Sequence, residues 1–257
     1  MMKTTARALL ALTLLSGSAL AQSGNERAAI QAAGSIKFGT EGTYPPYTYH
    51  DASGKLVGFD VDIARAVAAK MGVKPEFIEG RWDGLIAGLS AKRYDAVINQ
   101  VGITPERQAK FAFSDPYITS KAVLIVRDNN AQIKSFADLR DQKAAQSLTS
   151  NYAKLAQKYG AELVPTDGFN QSLELVISGR AAATLNDNLS YLDFRQHKPN
   201  APLKVVAVAE QGADSAILVR KDQPQLVQAL NQALSEIRAD GTYHTISQRY
   251  FGSDVSQ

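Results

Sequence analysis

The chain contains no cysteine. That excludes disulfides, thiol nucleophiles and thiolate metal sites, and it removes the residue on which a lipid anchor would be built beside an export signal. Histidine is confined to His50, His197 and His244, scattered along the chain without metal-ligand spacing. There is no phosphate-cradling or dinucleotide fingerprint, since Gly39 to Gly42 has the wrong spacing, and no two carboxylates single themselves out as acid and base. Neither a cofactor nor a metal is expected. Charge of one sign is lacking too: 28 basic residues stand interspersed against 25 acidic ones, which argues against nucleic acid or a membrane surface as the main partner. Beyond the N-terminal segment no apolar run approaches the length of a membrane helix.

What is present begins with that segment. Lys3 and Arg7 precede the short apolar run Ala8 to Leu15, and Ala19-Leu20-Ala21 is a small-x-small cleavage site. Residues 1–21 therefore read as a signal peptide cleaved after Ala21, and the mature chain as a freely diffusing periplasmic protein without direct membrane insertion. Strands and helices then alternate, as in a parallel-type α/β sheet. Strands are expected at Ile36–Gly39, Pro75–Ile78, Tyr94–Ile98, Lys121–Val126, Lys143–Gln146, Glu162–Val164, Ala182–Leu185, Leu203–Ala209 and Ser215–Val219. Helices are expected from Asp60, from Trp82, from Thr104, from Ser150, over Gln171–Ser178, through Leu192, and over Gln223–Ala239 and Thr242–Tyr250. Leu226, Leu230, Leu234 and Ile237 lie at helical spacing, as ordinary core packing requires. The runs Leu89 to Val97 and Val176 to Thr184 echo each other as helix end, basic turn and strand, which suggests two similar lobes.

One stretch organises the rest: Asn99-Gln100-Val101-Gly102-Ile103-Thr104-Pro105-Glu106-Arg107. A strand ends here in a polar loop, Thr104 caps a helix with Pro105 in its first position, and Gly102 lets backbone approach a ligand closely. Arg107 in the first helical turn suits a carboxylate, because guanidinium binds one with two parallel hydrogen bonds. Taken alone, an Arg in a solvated turn is the plainer explanation. Other binding groups also lie at strand ends and helix starts, where ligands gather in such sheets. Tyr44 and Trp82 offer aromatic walls, Ser150-Asn151-Tyr152 opens a helix with free amides, and Asp187 offers an acid to an ammonium. Singly, Tyr44 or Trp82 is as readily core, and Asp187 as readily a helix cap. Together they outline an α-amino-acid pocket.

At these residues the chain resembles the polar amino-acid-binding proteins of bacterial ABC importers, the family-three periplasmic solute-binding proteins. The resemblance is carried by Glu41–Tyr47, Gly58–Asp62, Trp82–Ile86, Ile98–Val101, Ile103–Arg107, Phe113–Tyr117 and Asp240–Tyr243, and within the family the wording is closest to cystine-binding members. It implies a two-lobed α/β fold of the type II, Venus-flytrap kind, with two crossover hinge strands near Thr119–Val123 and Gly212–Ala216. Lobe 1 would comprise residues 22–118 and 216–257, and lobe 2 residues 119–215. It implies further that Arg107 and the amides of Gly102 and Asn151 hold the ligand carboxylate, and that Asp187 and the Gln100 carbonyl hold the ammonium. Tyr44 and Trp82 would sandwich the side chain, while Glu41, Asn99, Ser150 and Tyr152 shape specificity. The implied function is capture of a polar L-amino acid, L-cystine foremost, by a monomer that delivers it to an ABC permease and its ATPase. Two alternatives stand beside it: an enzyme resembling cyclohexadienyl dehydratases, and a ligand sensor for a separate receptor. Three departures from the family pattern are Gly102 in place of a small hydroxyl residue, the glycine-free loop Gln146-Ser147-Leu148-Thr149, and Ala182 in place of an aspartate.

Overall fold

The computed structural model describes residues 25–255, so the leader and its cleavage after Ala21 lie outside the described residues. Helix α1 (Glu26–Ala33) leads into β1 (Ser35–Thr40), and a small antiparallel sheet follows from β2 (Thr43–Tyr44), β3 (Thr48–His50) and β4 (Leu56–Val57). Next come α2 (Phe59–Lys70), β5 (Lys74–Glu79), α3 (Trp82–Ser90), β6 (Ala96–Val97), α4 (Pro105–Lys110) and β7 (Phe111–Phe113). The chain leaves this sheet through β8 (Ile118–Ser120) and builds another from β9 (Ala122–Arg127), β10 (Lys143–Gln146), α5 (Asn151–Lys158), β11 (Glu162–Pro165), α6 (Phe169–Ile177), β12 (Ala183–Asp187), α7 (Asn188–His197) and β13 (Leu203–Val208). It returns through β14 (Ala213–Ser215), antiparallel to β8, and ends with β15 (Leu218–Arg220), α8 (Pro224–Ala239) and α9 (Thr242–Phe251).

The two five-stranded sheets repeat one plan. In the order β5-β1-β6-β15-β7 the first three strands run parallel, and β15 runs antiparallel to both β6 and β7. In the order β11-β10-β12-β9-β13 three parallel strands are again followed by an antiparallel pair. The sheets are therefore mixed rather than purely parallel, because in each one strand arrives from the other lobe. The sequence echo is real at the level of backbone. Lys92 (φ 57°) and Gly179 (φ 73°) both turn left-handed before an arginine, and the Asp95 and Ala182 amides both donate to the strand second in the order of their sheet, at Lys37 of β1 (2.9 Å) and Lys143 of β10 (2.8 Å). Asp95 adds a carboxylate bond to the Lys37 amide at 2.8 Å that Ala182 cannot make.

Packing follows the apolar periodicities. Ile36 and Phe38 of β1 are fully buried against Phe59, Ile63 and Val67 of α2 and the Leu226–Leu230–Leu234–Ile237 stripe of α8. Each buried aliphatic or aromatic side chain contributes roughly 1.5–3 kcal/mol. Several expected elements changed in detail. The strand expected over Tyr94–Ile98 keeps only Ala96–Val97 in the ladder, α6 begins at Phe169 rather than Gln171, and Ser215–Val219 splits into β14 and β15. Ser135 and Asp138 form a reciprocal capping box that heads a single 3-10 turn, Phe136–Leu139.

Candidate functional site

The cleft between the sheets is bounded by strand ends from both. Its empty volume is about 460 Å³, part of it open to solvent, and its walls include Glu41, Tyr44, Trp82, Asn99, Gln100, Ser150, Asn151 and Tyr152. Of the expected site residues, Gly102, Arg107 and Asp187 stand behind this wall rather than on it.

Arg107 is placed by local rules. The Thr104 hydroxyl accepts from the Arg107 amide at 3.3 Å, Pro105 occupies the first helical position, and the guanidinium is drawn inward until the residue is only 8% exposed. There it donates to the Gly102 carbonyl (2.8 Å) and the Thr149 carbonyl (3.4 Å), and it lies 5.3 Å from the centre of the Trp82 ring. Among the described residues no carboxylate forms an ion pair with it within 4.0 Å. A buried guanidinium without an acidic partner is costly. Burial accordingly pushes its pKa down.

The left-handed residue of this loop is Gln100 (φ 52°), not Gly102. Asp60, fully buried in the first turn of α2, accepts from the Gln100 amide (2.8 Å) and side-chain amide (2.7 Å) and so pins that unusual backbone. Burial raises the Asp60 pKa to about 7 despite those two bonds. At Gly102 an added Cβ would meet Arg107 and Asn151 at 3.7 Å, an ordinary contact. The position has room for a small side chain.

Beside this loop, on the same lobe, Glu41 and Asn99 interlock. The Asn99 side-chain amide donates to the Glu41 carboxylate at 2.6 Å, and its oxygen accepts from the Glu41 amide at 2.8 Å. Burial lifts the Glu41 pKa to about 7, and the nearby charges of Asp83 and Asp167 add to the rise. Trp82 is buried, and its indole N–H has no hydrogen-bond partner.

Asp187, expected to offer an acid to an ammonium or to cap a helix, is buried at the end of β12. It caps α7 by accepting from the Ser190 amide (2.8 Å), and it also accepts from the hydroxyls of Tyr47 (2.7 Å) and Tyr44. The helix-cap alternative is therefore realised, with tyrosine hydroxyls on the oxygens an ammonium would take. Desolvation raises its pKa, opposed by those hydrogen bonds. Ser150 caps α5 through the Ala153 amide at 3.0 Å, setting Asn151 and Tyr152 at the helix entrance.

Sequence reasoning missed Gln146, Ser147, Gly168, Phe169, Ser172 and Asn186, all of which line the cleft. Gln146 and Asn186 lie at the ends of β10 and β12, so the strand-end rule that found Tyr44 would have found them. Phe169, the first residue of α6, stands edge-on to Tyr44 with 6.4 Å between ring centres, an aromatic wall supplied by the second lobe. No group of three or more His, Asp or Glu side chains that could hold a metal occurs among the described residues, and no helix among them is long and apolar enough to cross a membrane.

The sequence pattern of the bacterial extracellular solute-binding proteins, family 3, matches residues 36–253. A probable amino-acid ABC transporter-binding protein of Haemophilus influenzae is 46% identical over 219 residues, 85% of each chain. The L-cystine-binding protein TcyA of Bacillus subtilis is 42% identical over 92% of this chain and 88% of its own. Among solved structures, the L-cystine solute receptor of Neisseria gonorrhoeae in its unliganded open conformation is 50% identical, covering 87% of this chain and 95% of that one, with a TM-score of 0.58.

Proposed function

Because the chain belongs to the bacterial extracellular solute-binding proteins, family 3, a binding component of amino-acid ABC transport rather than an enzyme, we propose that its own cargo is a polar L-amino acid, with L-cystine first. The observation that carries this reading is Arg107: buried, without an acidic partner, and stacked on an aromatic wall of the cleft. Its guanidinium takes the ligand carboxylate together with the amides of Gly102 and Asn151. Ligand displaces the Tyr44 hydroxyl from Asp187, which then shares the ammonium with the Gln100 carbonyl. Trp82 and Tyr44 enclose the side chain, and Phe169 extends that wall. Glu41, Asn99, Ser150 and Tyr152 meet the far end of the ligand, which in cystine carries a second amino-acid head. Cystine is favoured over other polar amino acids by the named specificities of relatives 42% and 50% identical.

The lobes, residues 22–118 with 216–257 and residues 119–215, turn about the β8–β14 ribbon. Ligand contacts from both lobes favour the shut form, as population shift requires. Export is completed by cleavage after Ala21, and the loaded monomer docks on a membrane permease and its ATPase. Thermal unfolding against a panel of amino acids tests the assignment. A ligand a hundredfold above its dissociation constant adds about 2.7 kcal/mol of stability. A rise in Tm with L-cystine alone supports the full reading, a rise with another amino acid replaces cystine, and no rise with any of them overturns the pocket.

A further inference from the structure

The loop between β10 and α5 is fastened to the opposite lobe by residues that do not line the cleft. Asp83, in the first turn of α3 and outside the cleft wall, accepts from the Thr149 amide (2.9 Å) and the Thr149 hydroxyl (2.7 Å) on one oxygen, and from the Leu148 amide (3.3 Å) on the other. The Thr149 carbonyl in turn accepts from Arg107 at 3.4 Å. One carboxylate therefore gathers three donors from the second lobe, and the residue it holds is tied to the guanidinium at the heart of the site. Two single ion pairs flank it, Arg81 with Asp167 and Lys154 with Glu106 (3.8 Å). Exposed pairs of that kind contribute little. Asp83 is also favourably placed at a helix N-terminus, which stabilises its charge.

We propose that Asp83 and Thr149 form a clasp between the lobes, with Asp83 a positioning residue that sets how long the cleft stays shut without touching the ligand. This rests on the reading of the cleft as an interlobe binding site. Hydrogen bonds made only in the shut form raise the fraction of binding-competent protein, and apparent affinity rises with that fraction. The clasp also gives the glycine-free loop a use. A glycine at position 149 would keep the amide donor but lose the hydroxyl at 2.7 Å.

The test compares Asp83→Ala, Asp83→Asn, Thr149→Val and the Asp83→Ala/Thr149→Val pair in the mature chain. The ligand is whichever amino acid of the panel binds the unaltered protein. Dissociation rate and Kd should rise about tenfold for Asp83→Ala, since charge-assisted hydrogen bonds at an exposed site are partly screened. Asp83→Asn, which keeps an acceptor oxygen, should recover part of the loss, and the double variant should lose less than the product of the single losses. Spin labels on Glu76→Cys and Gln157→Cys, the only cysteines the chain would then have, should report longer interlobe distances in Asp83→Ala without ligand. An unchanged dissociation rate and distance distribution, with only Tm lowered, would reduce Asp83 to a helix-end residue and overturn the clasp. If no amino acid binds the unaltered protein, the ligand reading fails on its own. The ligand-free distances then decide the clasp, longer in Asp83→Ala supporting it and unchanged overturning it.

Discussion

Replacing Arg107 by alanine should separate ligand capture from folding. Two charge-assisted hydrogen bonds to a carboxylate, each worth roughly 1.5–3 kcal/mol net, sum to about 3–6 kcal/mol. At about 1.4 kcal/mol per decade, affinity falls roughly a hundredfold to ten-thousandfold. On the folding side two terms oppose each other. The guanidinium gives up the Gly102 and Thr149 carbonyls, at 2.8 and 3.4 Å, but the fold is relieved of a buried cation with no acidic partner. Ligand-free stability should therefore change by about 1 kcal/mol or less. Arg107→Lys keeps the charge without the planar fork and should sit between, at about ten- to hundredfold weaker binding. Calorimetric titration with the ligand found by thermal shift, beside denaturant unfolding of the empty protein, measures both. A Kd within about threefold of the unaltered protein, in a folded Arg107→Ala variant, would refute the reasoning, because among the described residues no Lys or Arg lines the cleft to take over the carboxylate.

Other substitutions and conditions test the same geometry. Gly102→Ser should fold normally and keep binding, since its Cβ finds 3.7 Å of clearance, whereas Gly58→Ala should unfold the chain or cost several kcal/mol, since its Cβ would lie 2.1 Å from the Tyr47 carbonyl at a φ of 132°. Circular dichroism melts of the two variants check this contrast, and a melt of Gly58→Ala like that of the parent would contradict it. Stability should fall as pH rises from about 4 to 7. Asp60 and Glu41 both have folded pKa values of about 7, above their usual 3.8 and 4.5, so the folded state keeps protons the unfolded chain has already lost. At about 1.4 kcal/mol per unit the Asp60 share is at most ~4 kcal/mol. Urea unfolding at several pH values should show that slope flattened in Asp60→Asn, and an unaltered slope would show that Asp60 is not its source.

Much of this was legible in the sequence because the informative residues obey local rules. Thr104-Pro105 announced α4 and hence the direction of Arg107, and apolar spacing of four announced α2 and α8. Strand ends announced Tyr44, Trp82 and Asn99. What escaped depends on distant partners. The partner of Gln100 is Asp60, forty residues away, and nothing local marks a buried aspartate in an otherwise amphipathic helix. The Tyr44 and Tyr47 hydroxyls reach Asp187 from the opposite lobe, a contact created by tertiary structure alone. Likewise, the splitting of Ser215–Val219 into two strands reflects a change of pairing partner, from β8 to β6 and β7, along a run of uniform β propensity.

The place of β15 has a consequence for synthesis from the N-terminus. The sheet that starts with β1 cannot fill its interior until Leu218–Arg220 emerges to lie between β6 and β7, and its α2 face stays uncovered until α8 and α9 follow. The inserted sheet, by contrast, has all five of its strands once Val208 has been made. The later-starting lobe is thus the first able to finish, and the earlier one waits on non-local closure, the slow kind of step. A chain cut short before β15 would keep a complete β9–β13 sheet and lose the lobe that carries Arg107.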